Sequence, residues 1–211
     1  MRILVVVGHP LTGSLTHALA AAYAQGARSA GAEVRVHDLA VTPFPHDPAS
    51  RADLRAPDGD TTHLDPAVAA LVDDVRWAEH LVVLHPQWWG TYPAVLKAYL
   101  DRVMLSGVTF RYRSGSLPTR LMQGRTARTV MTMDSPGFWN RFAYRDAAGA
   151  SLGRATLAYC GYRLTGRTTF AKVRFSSPEQ RTRWLATTAR LGTRDAARRG
   201  AARPSAAPVP A

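Results

Sequence analysis

Cysteine is nearly absent: Cys160 stands alone among 211 residues. A single thiol excludes an internal disulfide framework and fits a reducing compartment, so a cytoplasmic protein is expected. Long apolar runs are absent too, none approaching the roughly 18 residues that a membrane span needs. The opening MRILVVVGHP is too short an apolar segment for a secretory signal and reads as a first strand. Acidic residues are scarce, 15 against 27 lysines and arginines, which leaves a formal net charge of +12. Those cations are scattered, with neither a basic helix nor zinc-finger spacing, so nucleic acid is not the expected partner. A compositional bias toward Ala and Arg accounts for the charge, and it modestly favours anionic small molecules.

What is present describes an ordinary globular domain, with 46% hydrophobic and 20% charged residues. The length suits one domain with a full core, over residues 1–192. The remainder, 193–211 (TRDAARRGAARPSAAPVPA), has too few large apolar residues to offset ordering entropy and reads as a disordered tail.

Apolar runs alternate with helical patterns. Residues 2–7 form a continuous buried-strand run, and 14–30 a helix stopped near Gly31. Residues 33–39 alternate as a strand, with Val34 and Val36 on one face, and 40–64 read as a long exposed loop. Asp65-Pro66 opens a helix whose stripe is Val68, Leu71, Val72 and Val75. A strand over 80–85, a helix over 93–105 and a strand over 126–133 follow. Residues 139–160 read as helical, 163–173 as extended, and a capping box at Ser176-x-x-Glu179 opens a last helix over 179–191. Such alternation predicts an α/β three-layer sandwich, a five-stranded parallel sheet in 2-1-3-4-5 order with helices on both faces. Ligands of such sheets bind at the carboxyl ends of strands one, three and four, which directs attention to the loops after Val7, His85 and Met133.

The first of these loops, GHPLTGSLT, is a phosphate loop of reduced kind. Gly8-x-x-x-x-Gly13-Ser14 lacks the lysine of a nucleoside-triphosphate loop, and His9-Pro10 after Gly8 breaks the dinucleotide fingerprint. Hydroxyls, backbone amides and a helix dipole remain, a set suited to a phosphate monoester or pyrophosphate. The structural alternative is that Ser14 only caps the helix. The second loop, HPQWWGTYP, puts Trp88 and Trp89 directly after a strand, where burial by the chain itself is incomplete. A planar heterocycle would cover them, and backbone amides around Gly90 would meet its polar edge. The alternative is that both indoles pack the loop onto the core or onto a second subunit.

Together, His9-Pro10-x-x-x-Ser14 and Pro86-Gln87-Trp88-Trp89, with Pro93-Ala94-x-Leu96-Lys97 and Asp101-Arg102-Val103, resemble the flavodoxin-like NAD(P)H:quinone oxidoreductases. The likeness spans residues 1–191 in order and spacing. It implies a homodimeric flavoprotein that carries FMN, with FAD as the alternative, takes hydride from NAD(P)H and passes it to a quinone or similar acceptor. By position, His9, Ser14 and Leu15 lie beside the flavin phosphate and ribityl chain. Pro86, Gln87, Trp88, Trp89 and Gly90 follow the isoalloxazine, and Thr132, Met133, Asp134 and Ser135 form the third flavin loop. That loop departs from a Thr-Gly-Gly-like turn common among relatives, and Asp134 is a poor neighbour for a reduced, anionic flavin.

No catalytic acid or base is expected, because the flavin carries the chemistry. Phe138 and Trp139 are candidate lid residues, while Tyr144 is a candidate proton donor by position but a better helix-packing residue. No Ser/His/Asp constellation is apparent from spacing, and His80 and His85 fall on opposite faces of one strand, so neither metal nor hydrolytic chemistry is expected. Asp38 is a strand-end residue, with a ribose contact as the alternative. The family also includes soluble regulatory partners of membrane ion-transport proteins, and flavodoxin-type electron carriers share the fold. The carriers present acidic faces, unlike this basic chain.

Overall fold

The computed structural model describes residues 1–112 and 117–198. Its elements are β1 (Arg2–Val7), α1 (Leu15–Ser29), β2 (Glu33–Asp38), α2 (Pro66–Trp77), β3 (His80–Pro86), α3 (Ala94–Val103), β4 (Phe110–Arg111), β5 (Thr119–Arg120), β6 (Thr126–Thr132), α4 (Gly137–Phe142), a π-helix (Gly149–Ala158), β7 (Arg163–Phe170) and α5 (Pro178–Ala196). Five parallel strands pair in the order β2-β1-β3-β6-β7. That is the anticipated 2-1-3-4-5 order, with the antiparallel β4-β5 hairpin inserted before the fourth strand of the sheet. Among the described residues, no helix is long and apolar enough to cross a membrane.

The unbroken apolar run of β1 is explained by helices on both faces of the sheet. Strand geometry sends successive side chains to opposite sides. Ile3, Val5 and Val7 therefore join Leu19, Tyr23, Val82, Leu84 and Phe170 on the α1/α5 side. Leu4 and Val6 join Leu71, Val75, Leu96, Tyr99 and Leu152 on the other. β2 is an edge strand, and its fully covered side chain is a histidine: Val36 is exposed, while His37 is buried. The His37 ring nitrogens contact the Tyr99 hydroxyl and the Asp74 carboxylate, each at 2.8 Å.

Three segments differ from the sequence expectation, and the last helix is capped one residue later than expected, by Ser177, whose Oγ accepts the Gln180 N–H at 3.2 Å, and not by Ser176. Residues 40–64 are not simply an exposed loop: Phe44, Ala56 and Leu64 are buried, and Ala56 N–H donates to the Ser106 carbonyl at 2.8 Å. The continuous helix expected over 139–160 is broken. α4 ends at Phe142, Arg145 and Asp146 take positive φ, and a π-helix begins at Gly149. The break lets the Asp146 carboxylate meet both the Arg167 guanidinium and the Asn140 amide.

The third difference is at the end of the chain. α5 runs to Ala196, past the expected stop at Leu191 and into the segment assigned to a disordered tail. Residues 199–211 of that tail lie outside the described residues. Two contacts hold the extra turn. α5 crosses α1 so closely that a Cβ at Gly26 would lie 2.0 Å from the Ala189 carbonyl oxygen, and one at Gly192 only 2.1 Å from that of Tyr23. Beyond this crossing, the Asp195 carboxylate is wholly buried and receives Arg128 Nε at 2.5 Å, Arg128 Nη2 at 2.9 Å and the Tyr23 hydroxyl at 2.9 Å. His80 Nε2 stands 3.4 Å away. Low apolar content misled the sequence reading here, because a buried ion pair rather than apolar area anchors this turn.

Burial by itself would raise the carboxyl pKa of Asp195, but the hydrogen bonds and charges of Arg128 and His80 outweigh it and hold the group well below the usual carboxylate range. A depressed folded-state pKa means the stabilisation is complete above the unfolded value of about 3.9 and is lost as pH falls through the acid range below it. Asp195→Asn, which leaves Arg128 buried without its counter-charge, is expected to cost about 3–5 kcal/mol in denaturant unfolding at neutral pH. It should also flatten the acid limb of the stability curve.

Candidate functional site

The carboxyl edge of the sheet carries three loops, and backbone hydrogen bonds tie each to a neighbouring strand. Gly8 N–H donates to the Leu84 carbonyl at 2.7 Å, Gln87 N–H to that of Thr132 at 2.7 Å, and Met133 N–H to that of Phe170 at 2.9 Å. The pairing of the sheet thus continues past the ends of β1, β3 and β6 and fixes the loops relative to one another. Between them opens a cleft of about 270 Å³.

Its first wall is the β1–α1 loop. Ser14 is the N-cap of α1, its Oγ accepting the His17 backbone N–H at 3.4 Å, so the capping role is real. Ser14 also lines the cleft, together with His9, Leu15 and Thr16, and the two readings of this serine are compatible. His9 Nδ1 accepts the Leu11 N–H at 3.0 Å. Burial pushes its pKa below that of an ordinary imidazole.

The second wall is the turn after β3. Trp88 and Thr91 exchange two backbone hydrogen bonds, of 3.2 and 3.0 Å, around Trp89 and Gly90, whose φ angles are +50° and +78°. Two consecutive positive φ values make a tight hairpin turn and send neighbouring side chains apart. The indoles separate accordingly. Trp88 lines the cleft, edge-on to His9 with ring centroids 5.8 Å apart, whereas Trp89 is 99% exposed and points away. Gly90 is covered by the Tyr144 ring, and its carbonyl accepts the Ala148 N–H at 3.1 Å. Tyr144 stands edge-on to Trp139 and packs this turn.

The third wall follows β6. Thr132 and Met133 line the cleft, and Thr132 Oγ1 lies 3.4 Å from Thr16 Oγ1. Asp134 is also at the cleft, but one carboxylate oxygen accepts the Arg174 backbone N–H at 2.9 Å and the other faces the Arg174 guanidinium at 3.9 Å. Its charge is thereby partly offset. Ser135 Oγ donates to Gln87 Oε1 at 3.3 Å, and Gln87 Nε2 donates to Asn140 Oδ1 at 2.5 Å. The Gln87 side chain therefore braces α4 rather than presenting a free amide.

Nine of the residues anticipated from sequence come together in the cleft: His9, Ser14, Leu15, Pro86, Gln87, Trp88, Thr132, Met133 and Asp134. Trp89, Gly90 and Ser135 do not line it; they shape the turns behind it. Two further residues line it, Thr16, a loop hydroxyl not assigned to the site from sequence, and Val173, which sequence reasoning missed. Thr16 was visible as the second hydroxyl of Ser-x-Thr. Val173 arrives from the far end of β7 and leaves no local signal. His85 also matters from behind. Burial lowers its pKa to about 4, so at neutral pH it is an uncharged ring whose Nδ1 lies 3.0 Å from the Pro86 carbonyl oxygen and props that residue. Cys160 is buried, and burial raises its thiol pKa, which leaves it inert. Among the described residues, no group of three His, Cys, Asp or Glu side chains gathers as metal ligands would.

An FMN-dependent NADH:quinone oxidoreductase of Bordetella avium is 36% identical over 98 residues, 44% of this chain and 48% of the relative. A ribosyldihydronicotinamide dehydrogenase-like protein of Penicillium crustosum is 29% identical over 120 residues, 51% of this chain and 45% of the relative. The chain spans about half the length of the curated relatives it matches. The structure of an NAD(P)H:quinone oxidoreductase from Methanothermobacter marburgensis superposes with a TM-score of 0.78 at 20% identity, covering 94% of this chain and 98% of that one. An FMN-dependent NADH-azoreductase from Bacillus anthracis in complex with FMN gives 0.73 at 17% identity, over 92% and 99%. These superpositions show a common fold. The family model described as "Flavodoxin-like fold" (Flavodoxin_2) matches residues 1–190, and with the sheet order and the three loops at its carboxyl edge this chain belongs to that family.

Proposed function

We propose that the cleft holds a flavin mononucleotide and that the protein is an NAD(P)H:acceptor oxidoreductase whose acceptor is a quinone or a similar small molecule. The observation that carries this reading is the polarity of one continuous cleft: hydroxyls and a helix N-terminus at the Ser14 end, the indole of Trp88 at the other. A phosphate monoester joined to a planar heterocycle matches that division. The names of the Bordetella and Bacillus proteins, both FMN-dependent, support FMN over FAD.

Bound flavin supplies the hydride chemistry itself. The chain's work is positioning. Ser14, Thr16 and the first-turn amides of α1 hold the phosphate end, and Trp88, Pro86 and Met133 shape the slot for the rings. Charge that develops on a reduced ring calls for neutral donors; in the turn after β3 the Gln87, Trp88 and Thr91 N–H groups are engaged within the fold, which leaves those of Trp89 and Gly90. No side chain is needed as acid or base, and His85, Cys160 and Tyr144 are each committed to packing. A homodimer belongs to the same proposal, supported by the exposed aromatics Trp89, Phe138 and Phe142, which a second copy would cover. Cytoplasmic action is proposed on the strength of the lone buried thiol.

Purified protein is expected to be yellow, to bleach with NADH or NADPH under anaerobic conditions, and to regain colour when a quinone is added. Colourless protein that takes up neither FMN nor FAD would remove the reading, and yellow protein indifferent to both nicotinamides would indicate an electron carrier. The divergence of the indoles yields a second expectation. Trp88→Ala should weaken FMN binding about tenfold in a fluorescence titration, and Trp89→Ala less than about twofold. The reverse ranking would place the rings against the wrong indole.

A further inference from the structure

A hydrogen-bond chain runs behind the first wall of the cleft and joins three residues that are far from obvious partners in sequence. Ser14 Oγ and His17 Nδ1 are 2.7 Å apart, and His17 Nε2 and Asp38 Oδ1 are 3.1 Å apart. His17 lies in the first turn of α1, and Asp38 ends β2. Their side chains are only 17% and 28% exposed, so bulk water does not readily replace these partners. From the preceding loop, the His9 ring meets His17 edge-on, centroids 5.7 Å apart. Asp38 and His9 are thus the titratable groups facing His17, one attracting and one opposing a positive charge.

A serine hydroxyl has one proton to give, and the chain decides where it goes. When His17 is neutral, the Asp38 carboxylate accepts its single N–H, because a ring lone pair facing a carboxylate is repelled. Nδ1 then accepts the Ser14 proton, and Ser14 turns only lone pairs toward the cleft. When His17 is an imidazolium, it donates from both nitrogens, to Asp38 and to Ser14 Oγ. The Ser14 proton is then free to point into the cleft toward an anion.

We propose that His17, oriented by Asp38, is a positioning residue that sets the direction of the Ser14 hydroxyl and so couples the hold of this loop on a phosphate to the protonation of His17. The proposal rests on the flavin nucleotide reading and adds to it. Phosphate at Ser14 and a proton on His17 are linked equilibria, each favouring the other by the same factor. Imidazole is the side chain whose charge ordinarily changes between about pH 5 and 8, so pH is the variable that exposes such a coupling. Burial lowers the pKa of His9 below that of an ordinary imidazole, which disfavours a second positive charge beside His17.

The test is a titration of flavin-free full-length protein with FMN and with riboflavin, which lacks the phosphate, from about pH 5.5 to 8.5. Wild type should lose at least about fivefold in FMN affinity across the range, a modest coupling, with riboflavin nearly constant. In His17→Gln, only the part of that slope due to the phosphate's own ionisation should remain. Asp38→Asn, which weakens the imidazolium, should move the midpoint to lower pH. Equal FMN slopes in wild type and His17→Gln would overturn the proposal while leaving the flavin reading intact. If wild type binds neither flavin, that reading falls, and the His17 imidazole ¹⁵N resonances decide the present one in wild type itself. A midpoint raised by inorganic phosphate supports it, and an unmoved midpoint overturns it.

Discussion

The pairing of parallel strands one residue beyond their formal ends is the constraint on which everything at the cleft depends. Gly8, Gln87 and Met133 each donate a backbone N–H to the adjoining strand, at 2.7, 2.7 and 2.9 Å. Loops anchored in this way leave the sheet at fixed heights and diverge only after the anchor. The strand order reverses at β1, which pairs with β2 on one side and β3 on the other, so the first and second loops leave on opposite sides and open a crevice. Donors and ring walls on rigid strand ends need no reorganisation when a ligand arrives, which is the property a positioning enzyme needs.

The electrostatics of the crevice are restrained for so basic a chain. Among its lining residues no lysine or arginine appears. Hydroxyls and one imidazole, that of His9, border it instead, and burial shifts that ring toward the neutral form. The acidic member, Asp134, is engaged by Arg174 from the segment after β7. Neutral donors distinguish poorly between anionic ligands by charge, so under the proposed flavin reading selection is left to shape, above all beside Trp88. The network from Ser135 through Gln87 and Asn140 to Asp146 and Arg167 sets one side of that slot. It joins the turn after β3 to α4 and β7 without apolar packing.

The opposite end of the molecule follows a different rule. There the Asp195–Arg128 pair is sealed under the α1/α5 crossing, with Tyr23 and His80 around it. Buried ion pairs are costly unless the geometry is good and the remaining polar atoms are satisfied. Two lengthwise contacts with Arg128 and a third from a tyrosine hydroxyl meet that condition. The arrangement closes the last helix onto the first, and α1 in turn carries Ser14 and His17 at its other end. The terminal helix and the first wall of the cleft are thereby parts of one packed layer.

Much of the fold was legible because periodicity records burial directly. The apolar runs of β1, β3 and β6, the stripe of α2 and the two proline-led helix starts all appear in the structure within a residue or two of their sequence boundaries. Most of the cleft was legible for a related reason, since its residues follow directly after strands whose order could be inferred. What sequence could not reveal depends on partners remote in the chain. Trp88 and Trp89 are equivalent as letters, and only the two positive φ values between Trp88 and Thr91 turn one into the cleft and the other to solvent. The break after Phe142 depends on Arg167, and the last turn of α5 on Arg128. The chain Ser14–His17–Asp38 exists because α1 and the end of β2 meet at one edge of the sheet. Local composition determined the elements, the core faces and the chemistry available at each loop. Tertiary structure alone decided which polar groups meet, because hydrogen bonds and ion pairs act over a few ångströms and leave no period in the sequence.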